Sequence, residues 1–92
     1  MTEPHIHYSQ ADVVKRLKRA EGHLRTIINM LEEQRACLDV AQQLHAVEKA
    51  IVAAKKVLIH DHIDHCLEHV VGSASQDARS SIESFKEITK YL

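Results

Sequence analysis

Apolar residues recur in steps of three and four along the first long segment of the chain. The stripe comprises Val13, Leu17, Ala20, Leu24, Ile27, Ile28 and Leu31. This spacing is typical of one face of an α-helix. Ser9, followed three residues later by Asp12, predicts the N-cap and N3 positions of that helix. Residues 1–8 contain Pro4 and show no helical periodicity, so we predict a mobile N-terminal arm there.

A second segment repeats the pattern and continues much further. Its apolar positions are Val40, Leu44, Val47, Ile51, Ala54 and Leu58. Nothing between His23 and Val71 is Gly or Pro, so we predict a helix from about Leu38 to Val71, after a polar break within residues 33–36. The alternating steps indicate a coiled-coil-like contact between helices. The same seam then meets His62, His65 and His69, where imidazoles replace aliphatic side chains.

A short third helix is predicted after Gly72, which suits the end of the second helix, and after the new start signal of residues 73–76. Its apolar face carries Ile82, Phe85, Ile88 and Leu92. The sequence of 92 residues therefore predicts one all-α domain that gains core by oligomerising. No apolar run has membrane-spanning length and no signal peptide is recognisable, so we expect a cytoplasmic protein with reduced cysteines.

The candidate chemistry is concentrated between residues 58 and 69, which hold four histidines and one of the two cysteines. His62 and Cys66 are four residues apart and share a helical face. A thiolate beside an imidazole suits Cu(I), Ni(II) or Zn(II) better than Mg(II) or Ca(II). A solvated histidine-rich face with two ordinary free cysteines remains the alternative interpretation.

The other cysteine, Cys37, cannot reach this pair within one chain if the second helix is continuous. At about 1.5 Å per residue, roughly 38 Å separate Cys37 from His62 and roughly 44 Å separate it from Cys66. All three fall within a sector of about 40° on one helical face. Two antiparallel copies of the helix would bring Cys37 of one chain to His62 and Cys66 of the other.

Charge is distributed unevenly although the net charge is only −1. The first helix carries a basic group on nearly the opposite side from its apolar stripe, comprising Lys15, Lys18, Arg19 and Arg25, with Arg16 at its flank. Gly22 lies within this group and permits close approach of a phosphate backbone. The alternatives are a solvated amphipathic face and a DNA-binding face that a multimer would repeat.

These residues resemble the CsoR/RcnR family of small bacterial transcriptional repressors over nearly the whole chain. The resemblance rests on the segments 16–25 and 30–33, on the Cys37 segment through Leu44, and on the His62-x-x-x-Cys66 pair. It implies a three-helix protomer with a long second helix, an antiparallel dimer forming a helical bundle, and a dimer of dimers. It also implies metal sites that lie between protomers.

Four positions distinguish the members of this family, and here they are His5, Cys37, His62 and Cys66. The last three resemble the copper sensors, whereas the additional His5 is similar to the nickel sensors. Ala36 stands where copper sensors have a Tyr. The family's DNA-contact positions match Arg16 and Arg19, with Lys15 and Lys18 as neighbours.

The implied function is a metal-responsive repressor that binds operator DNA as a metal-free tetramer and is released by Cu(I) or Ni(II), with Zn(II) as a third candidate metal. Two alternatives remain open. One is a repressor of the same family that senses persulfide, thiol oxidation or formaldehyde, and the other is a helical metal-binding protein without a DNA role. An enzyme is not expected, because the sequence has no HExxH motif, phosphate loop or nucleophile elbow.

Overall fold

A computed structural model describes residues 8–72 and 75–92 of the protein, and these residues form three α-helices. Helix α1 spans Tyr8–Glu32, α2 spans Cys37–Gly72 and α3 spans Ser75–Thr89. The described residues contain no strand, so the prediction of an all-α fold with a long second helix is confirmed. None of these helices is both long and apolar enough to cross a membrane.

The start of α1 differs from the prediction. The helix begins at Tyr8, so Ser9 lies inside the helix and the predicted arm extends one residue too far. Asp12 pairs with Arg16, one turn further along, through a hydrogen bond of 2.8 Å. An i, i+4 pair of opposite charge stabilises the side of a helix rather than its end. Residues 1–7, including His5, lie outside the described part of the chain.

A tight turn ends α1 and places the first residue of α2. Gln34 has a φ of 58°, in the left-handed region that favours glycine. The Arg35 N–H donates to the Met30 carbonyl at 2.9 Å and the Gln34 N–H donates to the Leu31 carbonyl at 3.0 Å. These two bonds form a Schellman motif, which satisfies carbonyls at the helix end. Cys37 follows directly as the first residue of α2.

Helices α1 and α2 form an antiparallel hairpin around a small apolar core. Its central cluster contains Ile27 and Met30 of α1 with Val40 and Val47 of α2. Only about half of each predicted stripe contributes to this contact. The other half of the two stripes remains exposed and comprises Leu17, Leu24, Ile28 and Leu31 of α1 with Leu44, Ile51 and Leu58 of α2.

These seven residues, which we name the open apolar face, lie on one side of the hairpin. On both helices these residues are rotated in the same sense away from the α1–α2 contact. Because the two helices run in opposite directions, this rotation turns both sets toward the same side of the hairpin. The protomer measures 59 × 25 × 13 Å, so it is little more than one helix thick. A slab this thin cannot cover its own apolar residues on that side.

Helix α3 packs against the C-terminal half of α2. There α2 contributes Ile59 and Cys66, both buried, while Phe85 and Ile88 of α3 are half-buried. Ile82 and Leu92 of the predicted α3 face remain largely exposed. The C-terminal half of α2 therefore packs around one cysteine and one isoleucine instead of continuing the seam of the N-terminal half.

Candidate metal and DNA sites

Cys37 is an exposed thiol at the first residue of α2. The Schellman motif fixes its backbone, because Gln34 in the left-handed conformation reverses the chain just ahead of the new helix. The Ala36 carbonyl accepts from the Val40 N–H at 3.2 Å, which is the first hydrogen bond of α2. Cys37 is therefore held at the helix end with its side chain accessible to solvent or to a partner.

His62 and Cys66 lie under α3, in a different environment. Cys66 is only 4% exposed. The half-buried His62 shares a hydrogen bond of 2.6 Å between its Nε2 and the Oγ of Ser84. One imidazole nitrogen is thus engaged with α3, which leaves Nδ1 as the ring nitrogen available to another ligand. The same helix–helix contact therefore orients one candidate ligand and covers the other.

Helix α2 runs without interruption from Cys37 to Gly72. About 38 Å of continuous helix therefore separates Cys37 from His62 in one protomer. Among the side chains that the structure describes, no three of His, Cys, Asp or Glu are close enough together to hold a metal ion. The donor set of two thiolates and one imidazole fits a soft metal only if two protomers contribute to it.

The remaining histidines of this region do not complete the set in the described protomer. His60 is exposed and His65 is half-buried, and His65 already has a partner. Of His69, only the backbone, in α2, is described. Since His5 lies outside the described residues, its role as a fourth ligand stays a prediction.

The predicted basic face lies on α1, with Lys15, Lys18 and Arg19 exposed. These three make no ion pair with any other described residue. Arg16 differs because its Nε donates to the Asp12 carboxylate. That hydrogen bond, together with the charges of Arg16, Lys15 and Arg19, holds the pKa of Asp12 below its ordinary value of 3.8. Asp12 is therefore a negative charge fixed inside the basic face.

Gly22 occupies an open position on the exposed side of α1. A β-carbon built there would meet nothing within 4 Å, so the packing of the protomer does not require glycine. Glycine inside a helix costs about 1 kcal/mol relative to alanine.

Three polar contacts escaped the sequence reasoning. The Asp12–Arg16 pair could have been found from its i, i+4 spacing. The hydrogen bond that His23 Nε2 donates to Gln43 Oε1 at 2.6 Å joins α1 to α2, and the His62–Ser84 bond joins α2 to α3. These two depend on the relative rotation of separate helices, for which a local pattern gives no signal.

The comparison with protein families agrees with this geometry. The family described as metal-sensitive transcriptional repressor matches residues 9–92. The chain belongs to this family. Its members are transcriptional repressors and not enzymes, which confirms the absence of enzymatic function expected from the sequence.

Related repressors cover most of the chain. The copper-sensing transcriptional repressor CsoR of Bacillus subtilis is 36% identical over 80 residues, which are 85% of this repressor and 79% of that protein. The copper-sensing transcriptional repressor RicR of Mycobacterium tuberculosis is 37% identical over 79 residues, with coverages of 85% and 82%.

Two solved structures share the fold. The nickel-responsive transcriptional regulator InrS superposes with a TM-score of 0.77 at 25% identity. The match covers 99% of this repressor and 96% of the InrS chain. The copper-sensing repressor CsoR with Cu(I) from Geobacillus thermodenitrificans superposes with a TM-score of 0.69 at 29% identity, with coverages of 96% and 94%. Both copper and nickel sensing thus occur among proteins similar to this repressor.

Proposed function

We propose that this repressor binds operator DNA as a metal-free homotetramer and is released when Cu(I) or Ni(II) binds between its subunits. Cys37 of one protomer would hold the metal together with His62 and Cys66 of a partner subunit, and His5 would supply a fourth donor. The bound metal would supply a bridge between the two chains. Zn(II) is the third candidate on the same donors.

The observation that carries this proposal is the unbroken helix α2. It holds its donors on one face at opposite ends, roughly 38 Å apart. An antiparallel partner helix that crosses near the midpoint of residues 37 and 62 would place Cys37 of each chain beside His62 and Cys66 of the other. The dimer would therefore hold two such sites, one at each end of the paired helices. The crossing then falls near Ala50 and Ile51.

The open apolar face supports a partner at this place. Ile51 lies at its centre and is 43% exposed in the protomer, flanked one heptad away by Leu44 and Leu58 at 47% and 39%. Burying apolar surface stabilises an interface by about 25 cal/mol per Å². Two such slabs packed face to face would form a four-helix bundle from α1 and α2 of each chain.

The basic face of α1 supports DNA as the partner of the assembled repressor. Lys15, Lys18 and Arg19 are exposed and make no ion pair with any described residue, so their ammonium and guanidinium groups are accessible to phosphates. Gly22, on the same side of α1, leaves space for a phosphate backbone to approach the helix. In a tetramer the face is present four times, and affinity rises with the number of phosphates neutralised.

The switch would act through the packing of α2 on α3, because two of the metal donors, His62 and Cys66, are part of that packing. His62 is bonded to Ser84 and Cys66 lies beneath α3, so fixing both to Cys37 of another subunit restrains α3 and the dimer together. The metal-bound state would weaken DNA binding if the spacing between the basic faces of α1 no longer matched the DNA. Differential affinities of about 1–3 kcal/mol are typical of such coupling.

Mixing two inactive variants tests the shared site directly. Cys37→Ala and Cys66→Ala each remove one donor from both sites of a homodimer. In a mixed dimer one site loses two donors, whereas the other keeps Cys37 from one chain with His62 and Cys66 from the other. We therefore expect tight metal binding to return in the exchanged mixture, at one site per mixed dimer, and metal-dependent release of promoter DNA to return with it.

The control is a mixture of His62→Ala with Cys66→Ala, in which both sites of the mixed dimer remain incomplete. Recovery in the control, or none in the test mixture, would contradict the intersubunit site. Repeating the titration with His5→Ala separates the metals. A four-coordinate Ni(II) site should lose affinity, whereas a three-coordinate Cu(I) site should hardly change.

A further inference from the structure

A cavity of about 290 Å³ lies between α2 and α3, and it opens to solvent on one side. It is lined by Cys66, Leu67, Ser81, Ile82, Phe85 and Lys86, and the surface that these residues turn toward it is apolar. For comparison, an apolar cavity of roughly 150 Å³ is large enough to bind benzene. The cavity is therefore suited to a small apolar molecule and not to an ion.

Cys66 forms part of the cavity wall. Its side chain is 4% exposed, and it makes no hydrogen bond with any described residue. Cys66 is thus a nucleophilic residue with little exposed surface, in the wall of an apolar cavity. Cys37, the other cysteine of the chain, is exposed and lies at the far end of α2.

We propose that this cavity admits small neutral electrophiles of the α,β-unsaturated carbonyl class and directs them to the sulfur of Cys66. In the reaction the thiolate sulfur adds to the β-carbon, an S–C bond forms and the C=C π bond breaks. The resulting enolate takes a proton from water at the α-carbon. In net terms the S–H bond and the π bond are replaced by S–C and C–H bonds, so no oxidant or reductant is needed.

Two physical effects make the reaction selective. A charged or strongly polar reagent must lose its hydration to enter an apolar cavity, whereas a neutral apolar reagent gains by leaving water. A thiol that is only 4% exposed reacts slowly with reagents in bulk solvent, because few of them can approach its sulfur. A reagent held beside the sulfur overcomes this disadvantage through its high effective concentration.

The consequence for regulation rests on the proposed function. If Cys66 is a metal ligand, its alkylation removes one of the two thiolates and fills the space beside α3. Electrophiles would then be a second chemical input to the metal site. The modification itself depends neither on metal nor on DNA, so it can be measured whether or not the proposed function is correct.

The test uses the full-length metal-free protein and two maleimides, N-ethylmaleimide and a maleimide that carries a sulfonate. Peptide mass spectrometry gives the alkylation rate at each cysteine, and Cys37 serves as an internal reference for the intrinsic reactivity of each reagent. We expect the Cys66-to-Cys37 rate ratio to be on the order of tenfold higher, or more, for N-ethylmaleimide. Equal ratios for both reagents, or no reaction at Cys66, would overturn the proposal.

A pair of tryptophan variants tests whether the cavity is the route. Ile82 lines the cavity and is 41% exposed, so Ile82→Trp obstructs the entrance from a position that tolerates a larger side chain. Val14→Trp is the control at an exposed position of α1. Ile82→Trp should slow alkylation of Cys66 and leave Cys37 unchanged, and Val14→Trp should affect neither.

Helix content by circular dichroism verifies that both variants fold. If Ile82→Trp is misfolded, Leu67→Trp on the α2 side of the cavity replaces it. Unslowed alkylation of Cys66 in a folded variant of this kind would show that the reagent arrives by another path, and the proposal would fail.

Discussion

The two contacts that α2 makes within the protomer differ in kind. Its N-terminal half packs on α1 through aliphatic side chains such as Val40 and Val47, with one polar link between His23 and Gln43. Its C-terminal half packs on α3 through Ile59 and Cys66. There a hydrogen bond joins His62 to Ser84, so both candidate metal ligands of this half belong to the helix contact itself.

This difference suggests that the N-terminal half of α2 holds the hairpin together and that its C-terminal half responds to metal. The α1–α2 contact can keep the hairpin together whether or not a metal is present, because none of its buried residues is a candidate ligand. If His62 and Cys66 hold a metal as proposed, the α2–α3 contact must respond to it, because moving either side chain disturbs α3. Perturbing each contact separately should therefore give different combinations of stability and metal affinity.

The largest expected effect comes from Ile51→Asp, which lies between these contacts on the open apolar face. Ile51 is 43% exposed in the protomer, so the protomer should still fold, but a charge facing its own symmetry mate should prevent dimer formation. Metal affinity should then collapse although no ligand has changed. Analytical ultracentrifugation and metal titration measure both.

Val52→Asp is the matched control, since Val52 is 39% exposed but is rotated by about 100° from Ile51 on the same helix. It should remain oligomeric and bind metal. A monomeric Ile51→Asp protein with full metal affinity would refute the site between subunits.

Two isoleucines of equal burial permit a direct comparison of the contacts. Ile27 supports α1–α2 and Ile59 supports α2–α3, and each is 2% exposed. Either change to Ala should lower the free energy of unfolding by about 2–5 kcal/mol. Only Ile59→Ala should also weaken metal binding, by on the order of tenfold, because it loosens the packing beside His62 and Cys66. Equal metal affinity in the two variants would remove the proposed division of tasks.

The two polar links give a finer test. Ser84→Ala removes the hydrogen bond that orients the His62 ring, and loss of such a partner typically costs 10–100-fold in metal affinity. Ser84→Thr retains a hydroxyl and should restore most of the affinity. Gln43→Ala breaks the His23 link instead and should leave metal affinity unchanged. Competition with a chelator of known affinity measures all three.

The smallest effect is expected at the basic face, which neither contact of α2 includes. Asp12→Asn frees Arg16 from its carboxylate partner and should strengthen operator binding slightly, with a steeper dependence on salt. Because the pKa of Asp12 is lowered, this carboxylate stays charged at neutral pH, and the difference from wild type should be constant there.

Lowering the pH should remove the contribution of the Asp12–Arg16 pair to the free energy of unfolding. A lowered pKa in the folded state contributes stability above the ordinary value of 3.8, and that contribution is lost as the pH falls through the folded value. Wild type and Asp12→Asn should therefore converge in stability at acid pH. A gap that widens on acidification would contradict the pairing of Asp12 with Arg16.

The sequence was sufficient for the number of helices and nearly for their ends, because periodicity, the absence of Gly and Pro, and the turn residues are all local signals. It was not sufficient to divide the apolar stripes. Val47 is buried and Ile51 is exposed although both belong to one seam, since burial depends on how far each side chain is rotated from the line of contact with α1. Ser84 was missed for the same reason, because its partner His62 is 22 residues away in another helix.

The continuity of α2 also bears on how much repressor a cell must hold. If one rigid helix keeps Cys37 out of reach of its own His62, a lone protomer has no complete receptor, and the number of receptors follows the number of dimers. Well below the dimer dissociation constant, halving the protein concentration would then lower the number of receptors about fourfold by mass action. Sensitivity to the inducer would thereby become a property of expression level as well as of ligand chemistry.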